Sequence, residues 1–271
     1  MASSGWVLDT AVRVIAAGSR PAALAAAAMR DRIVARRAAK VSSVDGGVEA
    51  GDEATMDVPD MTEDGARLWA VAQALARAAD AVRGGVRSRV PPMLLFTDPE
   101  RTPRPWEIAA RMPAGSGVVY RSFGAADALE TAERLRMATR ERGMSLLIAL
   151  DAGLADRVGA DGLHLPERAI SAAYALSGRR PDWILTGAVH SVRAALAARD
   201  LDAVVVSPIF PAGGESSVKP ALGRNSLAFA SEGRTRVIAL GGITAGNSGG
   251  IQGSGVYGLA AIGGIAAAFR P

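Results

Sequence analysis

The chain has 271 residues, 49% of them apolar, with a net charge of +4, no cysteine and two histidines. Disulfides, thiolate nucleophiles and cysteine-held metals are therefore excluded, and the lack of cysteine fits a reducing, cytoplasmic setting. The longest uncharged stretch, Val237 to Phe269, is too broken by glycine, serine and asparagine to span a membrane. The arginines are scattered and form no aromatic-interleaved stripe, so neither membrane nor nucleic acid is expected as a partner.

Residues 1–40 hold seven basic and two acidic side chains, and residues 41–64 hold eight acidic and none basic. Pro21 to Lys40 is alanine-rich and helical by propensity, whereas 41–64 lacks the large apolar groups that a core needs. Residues 1–64 thus read as an N-terminal extension and acidic linker, disordered or partly helical. The folded domain is expected over 65–271. Asp64 is expected to cap a helix from Gly65 to Val82, on which Leu68, Val71, Ala72, Leu75 and Ala79 make one stripe. Gly84 and Gly85 stop it.

From Pro92 a regular alternation begins. Strands are expected at Met93–Thr97, Gly117–Arg121, Ser145–Leu150, Gly162–Leu165, Ile184–Val189, Ala203–Val206, Val237–Leu240 and Gly258–Ile262. They are apolar without alternation, the mark of strands buried on both faces of a parallel sheet. Helical patterns lie between them at Ala125–Arg142, Glu167–Leu176 and Ser191–Ala198, with a terminal one from Gly264. The segment TAGNSGGIQGSG before the last strand is a poor helix former. An open doubly wound sheet satisfies this alternation, but eight units in so short a span suit an α/β fold of the (β/α)8 TIM-barrel class.

In such barrels the active site lies at the C-terminal ends of the strands. Asp98, Arg121, Asp151, His164, His190, Ser207, Gly241 and Gly263 all fall at or near those ends. After the seventh strand, Gly241-Gly242 is either a tight turn or bare backbone that an anion can approach. Asp161, in the turn before the fourth strand, reads as structural, accepting backbone N–H groups.

The strings GADGLHLPE (Gly159–Glu167), GAVHS (Gly187–Ser191), DAVVVSPIFP (Asp202–Pro211), VIALGGIT (Val237–Thr244) and GLAAIGGI (Gly258–Ile265) stand in order and register. With LLFTD at the first strand, they resemble the thiamine phosphate synthase and TenI family over about residues 90–271. The resemblance implies that Gly241, Gly242, Ile262 and Gly263 grip the phosphate of a phosphorylated thiazole. It implies a proton-shuttling role for His190, which imidazole suits because it titrates near neutrality. His164, Ser207 and Lys219 are the implied substrate contacts, and Arg121 the implied basic group on a pyrimidine diphosphate.

The family's synthases join an aminopyrimidine methyl diphosphate to the thiazole nitrogen, with Mg2+ held by carboxylates to neutralise the departing diphosphate. This chain departs from their pattern. Ala149 and Leu150 replace the Asn-Asp pair after the third strand, with Asp151 one place on, and Ala169 replaces the second aspartate, with Glu167 two places before it. A metal site would have to be rebuilt from Asp151 and Glu167. On the second strand Val119 and Phe123 replace polar residues and only Arg121 remains. The loop after the sixth strand keeps Ser216, Ser217 and Lys219 at altered spacing.

Three readings remain open: a magnesium-dependent synthase, placed first because the register is that family's; a thiazole tautomerase that uses His190 and no cofactor; and a non-catalytic binder of a phosphorylated ligand. A homo-oligomer is compatible with each.

Overall fold

Eight short strands, apolar along their length, close on themselves as a parallel barrel in the computed structural model, which describes residues 61–211 and 220–270. Of the expected extension over 1–64, residues 1–60 lie outside the described residues, and Glu63 and Asp64 open the first helix. The strands are β1 (Met93–Phe96), β2 (Gly117–Tyr120), β3 (Ser145–Ala149), β4 (Gly162–Leu165), β5 (Ile184–Val189), β6 (Ala203–Val206), β7 (Arg236–Leu240) and β8 (Gly258–Ala261). Each pairs with the next in sequence, and β8 returns to β1 through Met93 opposite Leu259. The TIM-barrel expectation is met, and the open sheet is not.

One alternating set of strand residues, including Leu94, Phe96, Val119, Leu147, Ile184, Val205, Ile238 and Ala260, packs as a single core cluster. The other set, with Leu95, Val118, Leu146, Leu163, Leu185, Val204 and Leu259, is equally buried. A strand's side chains point to opposite faces in turn, so burial of both sets explains the unbroken apolar runs. Each such leucine or valine contributes about 1.5–3 kcal/mol of burial.

Helix α1 (Glu63–Val82) buries Leu68, Val71, Ala72, Leu75 and Ala79, the expected stripe. Its cap is Thr62 and not Asp64. Thr62 Oγ1 accepts from Gly65 N at 3.1 Å and donates to Ala268 O at 2.6 Å, so one hydroxyl caps the helix and ties it to the chain's C-terminal end. Asp64 stays in the first turn, where its charge opposes the helix dipole's positive end.

The remaining helices are α2 (Pro105–Ala109), α3 (Ala128–Glu141), α4 (Ala152–Val158), α5 (Ala173–Arg179), α6 (Val192–Ala197), α7 (Gly223–Ser231) and α8 (Gly263–Ala268). The single helix expected over Glu167–Leu176 is a 3-10 stretch, Glu167–Ala172, followed by α5. The glycine-rich segment before β8 makes only a 3-10 turn, Ser248–Ile251. None of the helices among the described residues is long and apolar enough to cross a membrane.

The N-terminal ends of the strands carry the structural carboxylates. Asp161, just before β4, accepts Leu146 N of β3 at 2.8 Å and is gripped by both Nη atoms of Arg136. Asp202, just before β6, repeats the device: it accepts Leu185 N of β5 at 2.8 Å and takes a two-pronged Arg89. Each aspartate fixes the start of one strand against its predecessor. That leaves the opposite rim for chemistry.

Candidate functional site

Because the strands are parallel, Asp98, Arg121, Asp151, Glu167, His190, Ser207, Gly241 and Gly263 emerge on the same face of the barrel. The structure divides them into three groups.

The first lies over β1 to β5. His164, on β4, is only 5% exposed. Its Nδ1 lies 2.9 Å from Thr186 Oγ1 on β5, and its ring meets Phe96 of β1 edge-on, with centroids 5.0 Å apart. Burial, and then the Arg121 charge, lower its pKa to about 3, so the ring is neutral at ordinary pH. Arg121 follows β2. Its Nε donates to Thr97 O at 2.7 Å, its Nη2 stands 3.8 Å from Asp98 Oδ2, and its guanidinium lies 5.8 Å from the centre of the Phe96 ring. Asp98 is engaged further: Oδ1 accepts Glu100 N and Arg101 N, and Oδ2 takes Arg101 Nη2 at 2.9 Å. The bond from Arg101 holds the Asp98 carboxyl below its usual range.

The second group centres on His190, which is exposed just past β5. Its Nδ1 is 2.9 Å from Ser207 O, after β6, and 3.3 Å from Ser207 Oγ. A carbonyl oxygen only accepts, so Nδ1 carries the proton and Nε2 of the neutral ring is the basic nitrogen. The His190 backbone N–H donates to Glu167 Oε2 at 3.0 Å. The loops after β4, β5 and β6 therefore converge on His190, the β4 loop at its backbone and the β6 loop at its ring.

The third group is the glycine loop. Gly241 has φ 104 and Gly242 φ 65, conformations that side chains resist. Both also press on the loop after β6. A Cβ on Gly241 would stand 2.7 Å from Pro208 Cα, and one on Gly242 would fall within the Pro211 carbonyl. Gly241 O accepts Phe210 N at 3.0 Å and Gly242 O accepts Asn247 Nδ2 at 2.8 Å, which fixes the peptide planes. Beside it, β8 leads through Ile262 into α8, which starts at Gly263 with no side-chain cap. First-turn N–H groups of a helix have no partner within the helix, so these sit ready for an acceptor. The turn and anion readings of Gly241-Gly242 are thus compatible in one loop.

The carboxylates expected to rebuild a metal site are each engaged by a backbone N–H group. Asp151 caps α4 through Leu154 N at 2.8 Å, and Glu167 spends an oxygen on His190 N. Magnesium takes near-octahedral oxygen ligands and enforces its geometry strictly. No group of three His, Cys, Asp or Glu side chains that could hold a metal ion occurs among the described residues. This donor set does not fit the ion. Lys219, with Ser216 and Ser217, lies outside the described residues.

Sequence reading missed Thr186, Phe96 and Thr97 as neighbours of the expected residues. Strand alternation on β5 was the available signal for Thr186, since it sets a lone hydroxyl on the same side as Ile184.

A family model described as thiamine monophosphate synthase matches residues 104–265. The thiamine-phosphate synthase of Methanoculleus marisnigri is 32% identical over 142 residues, 50% of this chain and 66% of that protein. The thiamine-phosphate synthase of Geobacillus kaustophilus is 31% identical over 150 residues, 54% of this chain and 67% of that one. This chain thus aligns with about two thirds of each relative's length. Among solved structures, the thiamine phosphate pyrophosphorylase from Pyrococcus furiosus superposes with a TM-score of 0.57 at 23% identity, over 66% of this chain and 92% of the other. That likeness concerns the fold.

Proposed function

The chain belongs to the thiamine monophosphate synthase family, and from that premise we propose that it acts in thiamine biosynthesis on a phosphorylated thiazole, moving a proton on the ring through His190. The observation that carries this is the bond between His190 Nδ1 and Ser207 O. It fixes one tautomer and leaves Nε2 to take a proton from a ring carbon. The imidazolium so formed keeps Nδ1–H on the carbonyl, and Nε2–H then returns the proton at the tautomeric position. Gly241, Gly242, Ile262 and Gly263 hold the phosphate ester through backbone N–H groups. Ser207 lines the path between the two, because its loop packs on the glycines and its carbonyl holds the imidazole. His164 is neutral and buried, so it serves as a hydrogen-bonding wall and not as the proton carrier.

The names of the relatives favour a second reading, coupling of the thiazole to a pyrimidine diphosphate. The side chains around Asp151 and Glu167 give that reaction no magnesium site among the described residues. One experiment separates the readings. The full chain is given carboxythiazole phosphate alone, then hydroxyethylthiazole phosphate with pyrimidine diphosphate and magnesium. Isomerisation in the first mixture, lost in His190→Ala, supports the proton-transfer reading. Magnesium-dependent diphosphate release in the second supports coupling.

A further inference from the structure

We propose that the end of the barrel opposite the mouth pairs two copies of this chain, with Phe229 and Leu196 at the centre of the contact. Val82, Val86, Leu196 and Phe229 are four of the seven large apolar side chains left exposed among the described residues. They gather around one turn, at Gly233, between α7 and β7. Arg83, next to Val82, donates to Gly233 O at 3.1 Å and to Arg234 O at 2.6 Å. Arg236 donates to Val86 O at 2.7 Å. Leu196, in the last turn of α6, lies so close that a Cβ on Gly233 would stand 3.4 Å from its Cδ2. Phe229 stands four residues before Gly233, one helical turn, so it looks to the same flank of α7 as Gly233 and Leu196. These side chains, drawn from three separate elements, present on the order of 400 Å² of apolar surface, a size of patch that on soluble proteins commonly serves a contact.

Charge selects the occupant. Glu232 and Arg234 flank Gly233, both are exposed, and neither forms an ion pair among the described residues. Arg87, beside Val86, and Asp200, just past α6, are exposed and unpaired in the same way. A nucleic acid or an anionic membrane would be met by a rim of one sign. This rim carries both signs around an apolar centre. A two-fold contact needs such a surface, complementary to itself, with one residue on a second and that second on the first. An axis through the turn at Gly233 sets Glu232 of each copy against the partner's Arg234, and it brings the apolar side chains together beside those pairs. A stable contact buries about 800 Å² on each partner. The apolar patch supplies roughly half, and the exposed polar and backbone groups of the same three segments surround it. Both mouths then open away from the contact, because they lie beyond the C-terminal ends of the strands. The inference does not rest on the thiazole reading, which uses the other end of the barrel.

The test is sedimentation equilibrium of the full chain and its variants. The wild type should approach twice its chain mass of 27.7 kDa as its concentration rises from about 1 to 200 µM, the range of a contact of modest size. Phe229→Glu should weaken the dimer about tenfold or more, as loss of a central apolar anchor does. Glu232→Arg and Arg234→Glu, each alone, should stay monomeric, because each sets like charges across the axis. Mixed together they should dimerise, since the mixture restores an opposite-sign pair on both sides. A wild type that stays monomeric, a dimer that survives Phe229→Glu, or a mixture that stays monomeric each overturns the proposal. If Phe229→Glu shifts the melting curve, Leu196→Glu takes its place. Isomerisation of carboxythiazole phosphate by Phe229→Glu should match the wild type per chain. Its absence from both proteins sinks the thiazole reading and leaves the dimer standing.

Discussion

Replacing His164 by asparagine should change how stability responds to acid more than it changes stability itself. In the folded chain the ring's pKa is lowered from 6.5 to about 3. The unfolded chain therefore binds the proton first, and the group's contribution to stability is whole above pH 6.5 and falls away as pH drops toward 3. Each pH unit inside that window removes about 1.4 kcal/mol. From pH 7 to 4.5 the wild type should lose roughly 2–3 kcal/mol through this one residue, a large part of a typical 5–15 kcal/mol total. Asparagine can place a polar atom near Thr186 Oγ1 but does not titrate. At pH 7 the variant should be less stable by about 1–3 kcal/mol, because the ring's contact with Phe96 is lost. By pH 4.5 the gap should close or reverse. Urea unfolding of both proteins at several pH values measures this, and carboxylates common to both cancel in the difference. A gap that stays constant from pH 7 to 4.5 would show that His164 is solvated and titrates normally. His164 would then join His190 as a candidate proton carrier.

Other predictions concern the rim and the frame. Gly242→Ala places a methyl group at φ 65 against the Pro211 carbonyl; it should cost about 2 kcal/mol or more in urea unfolding and abolish phosphate binding by calorimetry. Glu167→Ala frees the His190 backbone N–H; turnover should fall with little change in KM, and Glu167→Gln, which keeps an acceptor oxygen, should restore it. Thr62→Ala removes both the α1 cap and the bond to Ala268 O, for a loss of about 2 kcal/mol read by chemical denaturation. Asp161→Asn breaks the two-pronged Arg136 pair and weakens the bond to Leu146 N; about 2 kcal/mol should be lost, while thiazole phosphate binding at the far rim is retained.

The strands were legible because strands buried on both faces need apolar residues at every position, and each expected strand matches the observed one to within a residue. Helices α2, α4 and α7, of five, seven and nine residues, had no counterpart among the expected helices. Asp64 was the expected cap because a carboxylate at a helix start is a sound local signal. Thr62 took the place through its bond to Ala268, a partner 206 positions away that no local pattern reveals. The site divides in the same way. His190 and the glycine loop are visible as residues at strand ends. The hold of Ser207 O on His190, the Phe96–His164–Thr186 contacts and the packing of Gly242 on Pro211 arise from barrel closure, which brings distant loops together. The change of Phe123 from a polar family position was plain in the sequence. Its exposure over Arg121 was not.

The most direct test is the metal-free isomerisation of carboxythiazole phosphate by the full chain, followed by proton NMR, beside the His190→Gln variant. The wild type should turn over in the presence of a chelator, with a loss of about a hundredfold or more in the variant, within the range that general acid–base catalysis supplies. No turnover by the wild type, or equal turnover by His190→Gln, would contradict the proton-transfer reading.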